Sequence, residues 1–170
     1  MKNGLPAILD SSTEILIMGS FPGEEALEKG KYYIKHSNDF WKLMSSVIRQ
    51  DLTAIDYDSR VVRLLGRGIG LWNVYRSVER KGSMDKDIKK IEMNDFSTLP
   101  SIAPGLRVIC FNGKEAGKHA GLFENMGYMT KVLPSSSGAN RTHMDRRLRE
   151  WTSILYPDLF LHGLLQAYRI

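Results

Sequence analysis

Four short apolar runs, each stopped by a loop of glycine, proline, serine or asparagine, constrain this chain more than any other feature. They are residues 14–20, built on Ile15-Leu16-Ile17-Met18, then 70–75, 107–111 and 128–133. Runs of this length suit strands buried in a sheet. The segments between them carry helical spacing. Strands alternating with helices argue an α/β protein whose parallel sheet is covered by helices on both faces.

Asp39 is placed to cap a helix from Phe40 to about Arg49, with Phe40, Leu43, Met44, Val47 and Ile48 on one face. A second helix is expected from about Asp58 to Leu65, ended by Gly66 and Gly68. Residues 76–95 are charged and mixed, and read as a surface excursion without strands. Asn94 or Asp95 starts a short helix that stops near Pro100 or Pro104. Further helices are expected over 114–126 and from Asn140 to about Tyr156. The final apolar segment, FLHGLLQAYRI, reads as packing on the core. Neither an internal repeat nor an interdomain linker is visible, so residues 1–170 read as a single domain.

Composition narrows the chemistry. The net charge of +5 permits attraction to nucleic acid without establishing it. Cys110 is the one cysteine and lies inside an apolar run, and the four histidines lack ligand-like spacing. No metal and no cofactor is expected. No run approaches the ~18 apolar residues of a membrane span, and the N-terminal stretch lacks a long apolar leader core. A cytoplasmic protein is the simplest reading, with no membrane partner.

In a parallel sheet the carboxyl ends of the strands share one edge, where ligands of open α/β sheets bind. Four loops meet there: 19–38, 73–80, 112–115 and 134–141. They offer Ser20, Tyr33, Asn38, Asn73, Asn112, Lys114, the triplet Ser135-Ser136-Ser137, Asn140 and Arg141. Nucleophile elbows, Walker loops and dinucleotide fingerprints are all missing. Amides, hydroxyls, aromatic rings and backbone N–H groups remain. These suit a planar polar base and a phosphate. The serine turn before a helix at Asn140 reads as a phosphate cradle.

GSFPGEE, the Tyr32-Tyr33 pair and Asn38-x-Phe40-Trp41 after it, GIGLWNV, the apolar run into FNG, and LPSSSGAN resemble the ordered motifs of the uracil-DNA glycosylase superfamily. They are most similar to its hypoxanthine-DNA (DNA-deoxyinosine) glycosylases. The resemblance covers about residues 14–150. It implies a three-layer α/β/α sandwich around a four-stranded parallel sheet. It also implies hydrolysis of the N-glycosidic bond of a base flipped from DNA, without a cofactor. Asn38 then corresponds to the catalytic, water-activating residue. Tyr33 corresponds to the ring that stacks on the base, and Asn73 to the reader of its edge. Gly19, Ser20 and Phe21 would form the base pocket. Ser135, Ser136, Ser137, Asn140 and Arg141 would contact the DNA backbone or groove.

Departures accompany these matches. Phe21 stands where many relatives carry an acidic or amide residue, and it cannot polarise water. Leu133 replaces the His or Asn found before Pro-Ser in many relatives, as it does in the hypoxanthine branch. Asn73 stands where that branch often has Asp, and Gly138 where it often has Pro. Asn38 also suits capping of the helix at Phe40. Three readings stay open. The first is a glycosylase for deaminated bases acting on double- or single-stranded DNA as a monomer, associated with the nucleoid when acting, with hypoxanthine ahead of uracil or mismatch specificity. The second is a non-catalytic binder of damaged DNA, and the third a small-molecule nucleotide domain.

Overall fold

The computed structural model describes residues 1–140 and 142–156. Its strands are β1 (Lys2–Asn3), β2 (Ile15–Gly19), β3 (Ile69–Asn73), β4 (Tyr75–Glu79), β5 (Lys90–Met93), β6 (Val108–Asn112) and β7 (Met129–Leu133). The helices are α1 (Glu24–Lys29), α2 (Phe40–Ile48), α3 (Tyr57–Leu65), α4 (Leu99–Ile102), α5 (Lys114–Gly117), α6 (Ala120–Asn125) and α7 (Met144–Thr152). Four strands form one parallel sheet in the order β3-β2-β6-β7. Every residue of β2 is buried, which is why its run is continuous rather than alternating.

Alternate side chains of β2 feed two cores. Ile15 and Ile17 join the apolar faces of α2, α3 and α7, through Phe40, Leu43, Leu64 and Trp151. Leu16 and Met18 join Leu99 of α4, Ala116 of α5, Phe123 of α6, and Val74, Tyr75 and Val78. The molecule is therefore the three-layer α/β/α sandwich expected from the resemblance.

The register aligns the strand ends. Gly19 lies opposite Asn73, and Asn112 opposite Leu133. The loops that follow β2, β3, β6 and β7 therefore leave from one edge, where the polar residues were expected to meet.

Several expectations need correction. Residues 76–95 are not a strandless excursion. Within this stretch β4 and β5 pair antiparallel, and β1 joins the other side of β4 in a three-stranded sheet. All four residues of β5 are exposed, so no buried face marks it in the sequence. The expected helix over 114–126 is two short ones, broken near Gly117, where a Cβ would come within 2.7 Å of the Val132 side chain. The short helix after Asn94 is α4, beginning only at Leu99. The last helix starts at Met144, not Asn140. Asp39 makes no side-chain cap of α2; its carboxylate pairs with buried Arg147 at 2.9 Å. The segment FLHGLLQAYRI lies outside the described residues.

Phe111 is fully buried on β6 and packs against Phe123 with ring centroids 5.6 Å apart. Phe111→Ala should cost about 3–5 kcal/mol of stability, read by urea unfolding. A loss below about 1 kcal/mol would contradict this packing.

Candidate active site at the carboxyl edge of the sheet

β2 ends at Gly19, and the absence of a side chain there is used. A Cβ on Gly19 would lie 2.9 Å from both the Tyr33 hydroxyl and the Asn73 Nδ2. These two polar groups, from the loop before α2 and from the end of β3, thus converge on one glycine. The Tyr33 hydroxyl and the Asn73 Oδ1 are both buried and lack a hydrogen-bond partner among the described residues. The Asn73 backbone is fixed from outside the sheet, because Asn94 Nδ2 donates to its carbonyl at 2.9 Å.

Tyr33 is held unusually. Its φ of +55° is left-handed, a conformation that costs a non-glycine residue of order 1 kcal/mol or more and clusters at functional sites. Its ring stacks on Phe40, with centroids 3.9 Å apart and 19° between planes. Burial pushes its phenol up to about 12, against a smaller downward pull from the nearby Asn112 side chain. At neutral pH it is a neutral hydroxyl.

Asn38 belongs to a polar network reaching across the same edge. Its Oδ1 accepts from the Phe40 N–H at 3.0 Å and from the Ser136 hydroxyl at 2.8 Å. Asn112 Nδ2 donates to the Ser136 oxygen, and Asn112 Oδ1 accepts from the Ser136 N–H, both at 2.8 Å. The Phe40 N–H can only donate, so the Asn38 amide cannot be flipped without opposing two donors. Its Oδ1 lone pairs are filled, and the amide offers Nδ2–H outward. Asn38 is therefore both the cap of α2 and a member of the site. Asn112, one of the polar residues expected at this edge, is tied to Asn38 through Ser136. Its position just past an apolar run was the available signal.

The serine loop is not at a helix start, since α7 begins beyond it. It is tied by its own groups. Ser135 Oγ accepts from the Ser137 N–H at 3.1 Å, and Asn140 Nδ2 donates to the Ser135 carbonyl at 2.7 Å. Ser136 is fully buried, whereas Gly138 and Ala139 form an exposed tip. Gly138 is required here, because a Cβ would fall 2.4 Å from the Ser37 carbonyl oxygen. Arg141 lies outside the described residues. Phe21 is placed away from Tyr33, buried in the core on the opposite face of the sheet with the Arg80 guanidinium 5.1 Å over its ring. Ser20, by contrast, stays at the edge and donates its hydroxyl to Asp85 at 2.6 Å. Asp85 was not foreseen as a site residue, because it sits in a run of charges that reads as solvated surface.

Among the described residues no group of three or more His, Cys, Asp or Glu side chains is arranged for a metal ion. Burial pushes the Cys110 thiol up to about 12, so it supplies no thiolate. No helix among the described residues is long and apolar enough to cross a membrane.

The fold and this edge place the chain among the α/β proteins that bind at strand ends. The family model described as the uracil DNA glycosylase superfamily matches residues 6–159. A hypoxanthine DNA glycosylase of Methanosarcina acetivorans is 47% identical over 154 residues, covering 91% of this chain and 98% of that protein. A second, from Methanosarcina barkeri, is 45% identical over 150 residues, covering 88% and 95%. A solution NMR structure from Methanosarcina acetivorans, described as a candidate uracil DNA glycosylase, superposes with a TM-score of 0.83 at 47% identity, covering 90% of this chain and 95% of that one. The chain belongs to the uracil DNA glycosylase superfamily.

Ser136→Ala removes the hydroxyl that joins Asn38 to Asn112. It should cost about 1–3 kcal/mol in chemical denaturation, since two amides lose a shared partner. An unchanged midpoint would show that the network contributes nothing.

Proposed function

We propose that this enzyme, a DNA glycosylase, excises deaminated bases, with hypoxanthine first and uracil second. The carrying observation is the pair of orphaned polar atoms, the Asn73 Oδ1 and the Tyr33 hydroxyl, borne by two side chains that converge over Gly19. Each costs about 1–3 kcal/mol while unpaired. A lactam edge, an N–H beside a C=O, offers a donor to the Asn73 Oδ1 and an acceptor to its Nδ2. Hypoxanthine and uracil both carry that edge. The names of the two Methanosarcina relatives favour hypoxanthine.

The base must leave the stack to reach this depth. Tyr33 has one face on Phe40, and the base would stack on the other, a contact worth ~1–3 kcal/mol. The bond from C1′ to the base then breaks with its electron pair leaving on the base. Water adds to the cationic sugar, its oxygen held by the Asn38 Nδ2–H, and no cofactor takes part. Ser135, Ser137, Asn140 and Arg141 are proposed to meet the DNA backbone, with Gly138-Ala139 at the tip entering the duplex. Ser136 acts behind them by orienting Asn38. Phe21 contributes through its backbone and the core. We take duplex DNA as the principal substrate, a monomer of one domain as the acting form, and the nucleoid as its place of action.

Duplexes containing deoxyinosine, deoxyuridine or deoxyxanthosine, treated with the protein and then alkali, should break at the modified base, deoxyinosine fastest. No abasic product from any of them would overturn the proposal. Asn73→Ala should lower the single-turnover specificity constant about 100-fold or more, as expected when a site loses the group that reads a buried polar edge. Asn38→Ala should slow the chemical step with duplex affinity retained, and an unchanged rate would remove Asn38 from the mechanism.

A further inference from the structure

The segment from Arg80 to Asp85 is clamped across the loop that follows β2. Arg80 is buried and donates to the carbonyls of Pro22 and Gly82. The Glu24 N–H donates to Ser83 Oγ at 2.9 Å. Asp85 opens a single helical turn, Asp85–Asp87, and its Oδ1 receives the Ser20 hydroxyl. Ser20 directly follows Gly19, so this carboxylate stands at the rim of the site. The negative charge of Asp85 reaches the phenols of both Tyr33 and Tyr75, where it contributes to raising their pKa values.

Among the described residues no cation lies within ion-pair distance of Asp85, although Arg80 and Lys118 act on it from farther away. The residue keeps contact with solvent, yet burial of its carboxyl raises its pKa. The Ser20 hydrogen bond opposes that rise, Glu115 adds to it, and Arg80 and Lys118 oppose it. A carboxylate held in no direct ion pair, on an edge that meets a polyanion, is electrostatically costly. A positive charge developing on deoxyribose is the chemistry that would use it. Of the residues that the motifs put forward for activating water, Phe21 is apolar, and Asn38 is an amide whose oxygen already accepts two hydrogen bonds.

We propose that Asp85 is a further catalytic residue, the general base that takes a proton from the attacking water and faces the cationic sugar. This rests on the glycosidic-bond hydrolysis proposed above. As the bond to the base breaks, its electron pair leaves with the base. The water oxygen bonds to C1′ and one water proton passes to Asp85. That proton then goes to the departing base, which leaves neutral and restores the carboxylate. Residue 85 thus supplies the acidic group that position 21 lacks.

The test is single-turnover release of hypoxanthine from a deoxyinosine duplex between about pH 4.5 and 8, for the wild type, Asp85→Asn and Asp85→Ala. Duplex affinity is read in parallel with an uncleavable 2′-fluoro-deoxyinosine duplex. The wild-type rate should fall as acid protonates Asp85, while Glu115 and Arg80 keep their charge over most of that range. Asp85→Asn, which can still accept from Ser20, should bind the duplex normally, lose about 100-fold or more in rate, and show no acid limb from this group. Its stability gives a second readout. A raised carboxyl pKa means that folded-state stability is full below the ordinary carboxylate value and lost as pH rises through the raised one. The neutral amide avoids that loss, so Asp85→Asn should melt no lower than the wild type at neutral pH. An active wild type with an Asp85→Asn variant within about threefold of it, sharing its acid limb, would overturn the role of Asp85 alone. A wild type that releases no base from any modified duplex would overturn the hydrolysis reading, and Asp85 with it.

Discussion

The missing side chain at Gly19 is the constraint on which this edge of the sheet depends. The register sets Gly19 opposite Asn73. Any Cβ there would sit 2.9 Å from two polar atoms at once, closer than packed atoms tolerate. With glycine, a phenol from the α2 side and an amide from β3 meet at one point. The same closeness leaves both groups short of partners. Such a site stores unfavourable free energy until a ligand with the right polar edge arrives, which is how recognition becomes specific rather than merely tight.

A second dependence runs sideways. Tyr33 leans on Phe40, whose N–H fixes Asn38, whose oxygen fixes Ser136, which both oxygen and nitrogen of Asn112 hold to the end of β6. Phe40 itself makes edge contacts with Trp41 and Trp151 in the core. Helix capping and site geometry are therefore one arrangement. The capping reading of Asn38 and the functional one were alternatives only in sequence. A packed aromatic cluster sets the direction of an amide that reaches solvent, so core and site are coupled through three residues.

Legibility followed burial. The strands β2, β3 and β6 announced themselves because both faces are covered, and α2 did so because its apolar positions keep helical spacing. Their carboxyl ends could be placed together by topology alone, which located Tyr33, Asn38 and Asn73. The pairing of β4 with β5 was illegible, because β5 has no buried residue to mark a period. The start of α7 was misplaced, since Ser135 to Asn140 carry helix-start residue types but spend their hydrogen bonds on their own turn. The resemblance put Phe21 in the pocket, but a motif does not say which face of the sheet a side chain enters, and Phe21 enters the core opposite Tyr33.

Asp85 shows the limit most sharply. In the chain it stands 65 residues from Ser20, amid lysines and aspartates that resemble any solvated hairpin. Its meaning comes from Arg80, a buried cation whose bonds go to backbone carbonyls rather than to a carboxylate. That choice fastens the hairpin onto the loop after β2 without a direct ion pair to the nearby acid. Had Arg80 formed an ion pair with Asp85, the hairpin would be equally well anchored and the edge would carry no free negative charge. Anchoring through carbonyls keeps the two tasks separate. The antiparallel sheet that the sequence concealed is thus the frame that brings a carboxylate to the Ser20 hydroxyl, beside a position 21 that carries none.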